Sequence, residues 1–449
     1  MAAESPSSAR PLESMDELIA PFHAAEKPAH KWRVGTEAEK IGVHLDGRAT
    51  NYDVDIRGVL DRLVEQHGWF GQAEWEGGDV IQLNRGAANI TLEPGGQLEL
   101  SGAPLDTVHQ TCAEFRGHVA ELQSVGDALG VRWLGLGFHP LARQADLPWV
   151  PKLRYGVMRE YLPTKGSMAL DMMRRTCTVQ ANLDYSDVED AFSKLRIGLR
   201  LQPIITAMFA NSPWVEGVRT GQRSRRAEVW LHMDPDRCGL LEQLWDGPPS
   251  YERYVEWALD VPMFGIKRGG SIKPTHQTFR TYWKDGHEGL TATRADWDAH
   301  VNSLFPETRL KNIVEMRGAD GQSSSTLCGL PALWKGLLYD AETRRRAESL
   351  AGKIQPADLH KARLSIPVDA LHADLGGRKV SEWAGDVLEL AESGLARLGH
   401  LDGQGRDERV FLRSLRDLLE KEQTPADLLL EKVPAERPDV ADVLEAAAF

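Results

Sequence analysis

Two glutamates stand two residues apart in a strand-like segment, Arg33–Val43. Side chains alternate between the two faces of a strand, so Glu37 and Glu39 are expected to point the same way. Two carboxylates at this spacing repel each other unless a positive charge lies close to them. The pair therefore indicates either a solvated strand face or a site that holds a cation.

Four further segments carry the same one-sided polar pattern. Glu93 and Glu99 lie on either side of a Pro-Gly-Gly turn, and Glu315 and Arg317 are two residues apart. The segment from 173 to 185 has an apolar face, and its other face carries only polar residues: Thr176, Thr178, Gln180, Asn182 and Asp184. Such faces are common on solvated antiparallel strands, but together they predict a sheet with one charged concave side.

The chemistry that suits these residues is phosphate handling with Mg²⁺. Clustered carboxylates favour hard cations, which prefer oxygen ligands, and neither histidine nor cysteine clusters with them. Arginines and amide side chains beside a metal are what phosphoryl transfer requires. The sequence contains no P-loop motif and no glycine-rich dinucleotide motif after a strand. The residues alone predict a Mg²⁺-dependent enzyme built on an antiparallel sheet.

A basic cluster opens another alternating segment, 221–236, which is interpreted as extended. In that conformation Arg226, Glu228, Trp230 and His232 share one face. Nucleic acid is an unfavourable partner, because the chain has a formal net charge of −13 and no basic stripe. An anchor for phosphate or carboxylate groups fits the arginines better, since their forked guanidinium groups match both.

The elements that position these residues form an α+β chain of 449 residues. Alternation predicts the strands, and helical spacing predicts long helices at 108–129 and 188–210 and a helical region from about 330 to 449. Residues 148–173 are interpreted as a partly helical lid or as packing at the sheet edge, and residues 266–280 as a loop. Residues 1–15 are expected to be a flexible tail, followed by one catalytic domain, 16–449.

Composition excludes several classes of protein. No apolar run approaches the roughly 18 residues of a membrane span. The first residues lack the features of a signal peptide, and the four cysteines show no paired zinc-ligand spacing. A soluble cytoplasmic protein that binds neither nucleic acid nor membrane is therefore expected.

Several motifs together resemble the glutamate–cysteine ligase family, in particular its plant and proteobacterial branch. They include GTEAEKIG, ITLEPGGQLELSG, LDMMRRTCTVQANLDY and DWDAHVNSLFPETRLKNIVEMRGAD, and the resemblance runs in order from about Glu13 to the C-terminus. It implies a glutamine-synthetase-like fold: a curved antiparallel sheet of about six strands forming a half-funnel, with helices on its convex side and a helical C-terminal region.

The resemblance also implies a reaction, the first step of glutathione biosynthesis. ATP phosphorylates the γ-carboxylate of L-glutamate, and the amine of L-cysteine then displaces the phosphate without a covalent enzyme intermediate. Two to three Mg²⁺ ions are implied. The cysteine pair linked to dimerisation in the plant members has no counterpart between residues 266 and 289, so a monomer is expected. The implied metal ligands are Glu37, Glu39, Glu93, Glu99 and Glu315. The implied catalytic residues are Arg226, Arg317 and Glu315, and the implied substrate or nucleotide contacts are Thr178, Gln180, Asn182, Arg226 and Trp230.

Two features leave alternatives open. The family motif around Trp230 is altered at Ala227, Glu228, Leu231, His232 and Met233. A ligase that joins glutamate to a different amine, and a non-catalytic homologue that binds nucleotide or amino acid, are therefore alternatives. Cys112 and Cys328 stand in motifs that hold a redox-active disulfide in plant relatives, so the resemblance implies either a regulatory disulfide or two free thiols.

Overall fold

The computed structural model describes residues 10–449. Its strands are β1 (Val34–His44), β2 (Phe70–Ala73), β3 (Val80–Arg85), β4 (Ala88–Leu92), β5 (Leu98–Ser101), β6 (Val131–Leu134), β7 (Thr178–Leu183), β8 (Trp214–Val215), β9 (Val218–Arg219), β10 (Cys238–Gly239), β11 (Gly265–Arg268), β12 (Ser271–Pro274), β13 (Phe305–Pro306), β14 (Thr308–Leu310), β15 (Val314–Asp320), β16 (Asp374–Leu375) and β17 (Arg378–Lys379).

Its α-helices are α1 (Met15–Ala25), α2 (Arg57–His67), α3 (Val108–Leu129), α4 (Leu153–Tyr161), α5 (Ala169–Arg175), α6 (Val188–Met208), α7 (Arg225–Leu231), α8 (Tyr251–Leu259), α9 (Phe279–Asp285), α10 (Arg294–Val301), α11 (Gly329–Leu338), α12 (Ala341–Ala351), α13 (Pro356–Asp369), α14 (Val380–Leu398), α15 (Arg413–Glu420), α16 (Pro425–Lys432) and α17 (Val440–Ala447). Among the described residues, none of these helices is both long and apolar enough to cross a membrane.

The main element is an antiparallel sheet of nine strands in the order β14-β15-β7-β1-β5-β4-β3-β2, with β6 pairing the far end of β1. The α+β class and the antiparallel sheet are confirmed, whereas the expected number of about six strands is too low. The additional strands include β2 and β3 in a glycine-rich stretch and the three-residue β14. Short strands of this kind carry too few alternating positions to be recognised from periodicity.

Strand β1 lies at the centre of the sheet and has two different faces. Val34 and Ala38 are fully buried towards the helices, and Glu37 and Glu39 point the other way. Glu39 pairs with Glu99 on β5, and Glu37 pairs with Gln180 on β7. The register therefore places polar residues from three distant parts of the chain side by side.

Helices cover the apolar face of the sheet. α6 packs against β15 and β14, α11 against β7, and α3 against β6. The C-terminal region is helical, as predicted, apart from the small β16–β17 hairpin. Its last two helices cover the other half of β1, where Val443 and Leu444 join a second apolar cluster with Ile41 and Val43. Ile41 and Val43 alternate onto the same face of β1 as its two glutamates, and the cavity lies on the rest of that face.

The structure corrects the interpretation of the segment 221–236, which contains the helix α7 rather than an extended chain. The Ser224 hydroxyl accepts a hydrogen bond from the Ala227 N–H at 2.9 Å and so caps the helix. Seven residues are too few for helical periodicity to stand out against alternation. The strand predicted at 173–185 is also shorter, because α5 extends to Arg175 and β7 begins at Thr178.

The region 266–280 is a β-hairpin followed by the start of α9, not a loop. Gly269 and Gly270 form its turn with φ values of 52° and 79°. Positive φ at both central residues is the requirement of a two-residue hairpin turn, and glycine meets it without strain. The Gly-Gly pair was thus the available signal for this hairpin.

The N-terminal tail is predicted to comprise residues 1–15. Its residues 1–9 lie outside the described part of the structure. Leu12 is buried, its N–H donates to the Ala292 carbonyl at 2.9 Å, and its own carbonyl accepts from the Trp283 indole at 2.9 Å. The chain is therefore attached to the protein at Leu12, while the other residues from 10 to 14 are exposed.

Candidate active site

A cavity of about 470 Å³ lies on the polar face of the sheet. Its floor carries Glu37, Glu39 and Glu99 from β1 and β5. The sides come from α4 and α5, from the β11–β12 hairpin and from the segment between α10 and β15. The region 148–173 thus lines the cavity, with Arg154, Met158 and Met172 among its contributions.

Three of the predicted metal ligands come together at one end of the cavity. Glu39, Glu93 and Glu99 each place a carboxylate oxygen within 4.8 Å of the others. Hydroxyl groups orient Glu99: Thr91 donates to it at 2.9 Å and Ser101 at 3.1 Å. These three carboxylates are called the acid trio below.

Glu93 stands at the start of a tight turn that directly follows β4. The Glu93 N–H donates to the Gln97 carbonyl, and the Gly96 N–H donates to the Glu93 carbonyl, both at 2.9 Å. Gly96 has φ 86°, and a Cβ on Gly95 would lie 2.3 Å from the Arg174 carbonyl oxygen. Both glycines are therefore required, the first for close backbone approach and the second for its left-handed conformation.

The electrostatics of these carboxylates fit a bound cation. Burial, together with the charges of Glu93 and Glu99, raises the pKa of Glu39 well above its ordinary value. Burial and the repulsion of Glu315 and Glu99 raise the pKa of Glu37 to about 8. Gathered carboxylate oxygens without nitrogen or sulfur ligands are the donor set that Mg²⁺ prefers. The acid trio fits such an ion.

Glu315 has different partners. Its side chain is fully buried, and one oxygen accepts from Arg309 and Arg317, each at 2.7 Å. Lys311 lies 3.0 Å from its other oxygen. Burial alone raises the pKa of Glu315, but the three cations outweigh it and hold that pKa well below the ordinary value. The structure therefore groups Glu315 with three cations rather than with the acid trio, and its metal role stays a prediction.

The residues of β7 that were predicted to contact substrate form hydrogen bonds with side chains of the neighbouring strands. Gln180 accepts from Arg317 at 2.8 Å, and the Thr178 N–H donates to Glu39 at 2.9 Å. Both residues line the cavity. The Asn182 amide donates to Glu37 at 2.8 Å, but Asn182 is not among the residues found to line the cavity. Asn182 therefore acts on the site through Glu37.

Arg226 and Trp230 lie on α7 and line the cavity, and their contact with substrate stays a prediction. The Arg226 guanidinium stacks 5.5 Å from the Trp230 ring and donates to the Arg317 carbonyl at 2.9 Å. The altered motif positions make their contacts outside the main cavity. Glu228 pairs with His232 at 2.9 Å, and Ala227 and Leu231 both line a smaller neighbouring cavity. None of the five altered residues is found in the wall of the main cavity.

Sequence reasoning missed several residues of the site. Arg309 on β14 lies directly opposite Glu315 on β15. Asn312 stands midway between them in the sequence, so a hairpin turn centred on it would have indicated this pairing. Arg154 lines the cavity, and the charges of Glu93 and Glu99 act on it. Nothing in the local sequence separates Arg154 from its basic neighbours, because only the tertiary fold turns it towards the acids.

Cys112 and Cys328 form a disulfide bond with their Cα atoms 5.8 Å apart. It joins α3 to the residue before α11, so of the two alternatives the structure has the bonded form. Cys177 and Cys238 are free; Cys177 is buried in the second apolar cluster with Ile41 and Val43, and Cys238 is half-buried.

Comparison of the sequence with known families and proteins gives consistent results. The profile of Glutamate-cysteine ligase family 2 (GCS2) matches residues 33–446. The chloroplastic glutamate–cysteine ligase of Brassica juncea is 42% identical over 421 residues, which cover 93% of this chain and 80% of the relative. The chloroplastic enzyme B of Oryza sativa subsp. japonica is 42% identical over 420 residues, covering 92% and 83%. These relatives are named as chloroplastic, which contradicts the cytoplasmic location expected from the sequence.

Comparison with solved structures shows a shared fold at low sequence identity. The glutamate–cysteine ligase of Francisella tularensis, solved in complex with AMP, has a TM-score of 0.57 at 14% identity and covers 93% of this chain and 87% of that one. A bifunctional glutathione synthetase from Pasteurella multocida has a TM-score of 0.52 at 13% identity, covering 96% and 53%.

Proposed function

The chain belongs to glutamate–cysteine ligase family 2, and we propose that it uses ATP and Mg²⁺ to join the γ-carboxylate of L-glutamate to the amine of L-cysteine. It is a ligase, and γ-glutamylcysteine formation is the first step of glutathione biosynthesis. The reaction proposed here proceeds through γ-glutamyl phosphate. The AMP held by the Francisella tularensis relative supports nucleotide use at the same fold.

One observation carries the proposal: the cavity that contains the acid trio is also lined by cationic side chains, among them Arg226, Arg309, Lys311 and Arg317. A carboxylate and a nucleoside triphosphate repel each other, so joining them requires a cation and fixed positive groups. The motif changes near Trp230 leave the main cavity wall intact, which supports cysteine as the acceptor.

The side chains of this chain have distinct tasks in the first step. Arg226 and Arg317 carry fixed positive charge where negative charge develops on the transferring phosphoryl group. Glu315 holds Arg309 and Arg317 in place through contacts of 2.7 Å. Gln180 orients Arg317, and Asn182 orients Glu37. Positioning and charge neutralisation carry the reaction, so no side chain becomes covalently attached to substrate.

Glu39, Glu93 and Glu99 would hold one Mg²⁺, and Glu37 with Glu315 would contribute to a second site. Bound Mg²⁺ neutralises phosphate oxygens. The backbone N–H of Thr178 keeps Glu39 oriented, and the hydroxyls of Thr91 and Ser101 keep Glu99 oriented. The number of ions, two to three, is part of the proposal.

Two proposals concern the whole chain. Residues 16–449 act as one catalytic domain, which is supported by an apolar cluster that runs from Leu18 through the sheet to Leu415. The active form is proposed to be a monomer. Size-exclusion chromatography with light scattering would test this state, and a dimer at assay concentration would contradict it.

The deciding experiment measures ADP release with ATP, Mg²⁺ and glutamate, with and without cysteine, followed by mass analysis of the product. We expect cysteine-dependent ADP release and γ-glutamylcysteine. ADP release that cysteine does not stimulate would keep the ligase chemistry and assign a different amine. The absence of ADP under all conditions would contradict the proposal.

A further inference from the structure

An ion pair stands at the mouth of the cavity and has no role in the mechanism described so far. Lys267 on β11 places its Nζ 2.8 Å from Glu74, which precedes β3. The other Glu74 oxygen accepts from the Leu153 N–H at 2.9 Å, at the start of α4. Lys267 and Glu74 both line the main cavity, together with Glu93 and Arg154.

The pair is built so that it can be exchanged. The Lys267 side chain is 47% exposed and that of Glu74 16%. Ion pairs exposed to this degree add little stability, so a ligand with the same two charges replaces them at low cost. An α-amino acid is such a ligand, because its carboxylate matches Lys267 and its ammonium group matches Glu74.

We propose that Glu74 and Lys267 bind the amino acid acceptor, with the acceptor's α-carboxylate on Lys267 and its α-ammonium group on Glu74. The proposal rests on the ligase function above and adds the residues that select its second substrate. Glu74 shares the cavity with the acid trio, so an amine held there lies in the same cavity as a γ-carboxylate activated beside the trio.

The same placement provides the proton acceptor. The acceptor's ammonium group gives one proton to the Glu74 carboxylate and becomes a neutral amine. Its nitrogen lone pair forms the bond to the γ-carbon of γ-glutamyl phosphate, and the bond from that carbon to the phosphate oxygen breaks, with its electron pair leaving on phosphate. The surplus proton on the nitrogen goes to the departing phosphate, which completes the amide.

Apolar residues beside the pair define the acceptor's side chain. Ile272 lies directly opposite Lys267 in the hairpin, and both line the cavity. Val157 and Met158 on α4 line it as well, and α4 packs against β12. This wall suits a short uncharged side chain such as the thiol-bearing side chain of cysteine, and disfavours a charged one.

The first test compares the variants Glu74→Gln and Lys267→Met with the matched control Lys273→Met. Lys273 lies on the same hairpin, pairs with Glu288 and is not found in the cavity wall. We expect each of the two variants to raise the KM for L-cysteine about tenfold to hundredfold more than the KM for glutamate, since each leaves a substrate charge unpaired. Glu74→Gln should also lower kcat. Lys273→Met should match the wild type.

The second test separates substrate binding from simple closure of the hairpin. Cysteamine lacks the α-carboxylate, so Lys267→Met should remove the preference for L-cysteine over cysteamine. Glu74→Lys combined with Lys267→Glu restores an ion pair between hairpin and loop but reverses both charges. Closure alone predicts that this double variant recovers wild-type kinetics, whereas acceptor binding predicts that the KM for L-cysteine stays high.

The outcomes distinguish this inference from the ligase function. Recovery by the double variant, or an unchanged KM for L-cysteine in Glu74→Gln and Lys267→Met, would overturn the acceptor site while the wild type still makes γ-glutamylcysteine. A wild-type protein that forms no γ-glutamyl product would overturn the ligase function itself.

Discussion

Glu39 has the most unusual surroundings of any acid in the site. It is flanked by Glu93 and Glu99 within 4.8 Å, and burial with their charges raises its pKa. The acid trio therefore makes binding of a divalent ion and protonation compete for the same oxygens.

The variant Glu39→Gln should lower glutamate-dependent ADP formation about a hundredfold or more, because an amide carries no charge to hold the ion. It should also abolish the rise in melting temperature that Mg²⁺ gives the wild type. Thermal unfolding with and without Mg²⁺ measures the second effect. The exposed residue Glu65 on α2 provides the control, Glu65→Gln, which should behave as the wild type. An undiminished Mg²⁺ effect in Glu39→Gln would remove Glu39 from the metal site.

Buried histidines determine how the protein responds to acid. Burial lowers the pKa of His139 to about 3 and that of His300 to about 4, from an ordinary value of 6.5. The folded protein keeps both rings neutral, while the unfolded chain takes up protons below about pH 6.5. Their contribution to stability is therefore complete above pH 6.5 and is lost as the pH falls towards 4.

We expect the free energy of unfolding to fall by about 1.4 kcal/mol per pH unit for each histidine across that range. Urea unfolding at several pH values between 7 and 4.5 measures the slope. In His300→Gln the slope should be shallower by the contribution of one proton, whatever the absolute stability of the variant. Equal slopes in the two proteins would contradict a neutral His300 in the fold.

At the scale of elements, the Glu93–Gln97 turn is the feature that brings an acid from outside the strands to the trio. Gly96 has φ 86°, and a Cβ there would meet Pro148 at 3.3 Å. Gly96→Ala should therefore lower the free energy of unfolding by ~1–2 kcal/mol. It should also reduce the effect of Mg²⁺ on the melting temperature, because Glu93 moves with the turn.

Gly117→Ala is the matched control for this substitution. Gly117 lies within α3, and a Cβ there would have no neighbour within 4 Å. Replacing glycine inside a helix should raise the free energy of unfolding by ~0.5–1 kcal/mol. Urea denaturation of both variants measures the two effects, and a Gly96→Ala protein as stable as the wild type would show that the turn tolerates a side chain.

The elements differ in how well the sequence predicted them. Polar and apolar residues alternate along β1 and β7, so this pattern predicted correctly that Glu37, Glu39, Thr178 and Gln180 share one face, which lines the cavity. The same pattern failed at α7, where a serine cap and tertiary packing prevailed over a seven-residue alternation. Arg154, Glu74 and Lys267 were not predicted as site residues, because their position depends on the packing of α4 against a hairpin that periodicity did not reveal.

At the scale of the whole molecule, the disulfide between Cys112 and Cys328 ties the two halves of the chain over a sequence separation of 216 residues. Replacing both cysteines by serine should lower the free energy of unfolding by about 2–5 kcal/mol, chiefly by releasing the unfolded chain. Guanidinium unfolding with and without dithiothreitol measures this effect. Dithiothreitol should destabilise the wild type but not the double variant, and Cys238→Ser should keep the response of the wild type. A wild type indifferent to dithiothreitol would contradict a stabilising role.

The central position of β1 has a consequence for the order in which the fold is completed. β1 is synthesised early, whereas its neighbour β7 begins at Thr178 and β15, which carries Glu315, begins only at Val314. Contacts this distant in sequence are slow to form. The cavity therefore encloses Glu37 and Glu39 only after most of the chain has been synthesised. Magnesium added to refolding protein is then expected to accelerate only the final phase, after the sheet has closed.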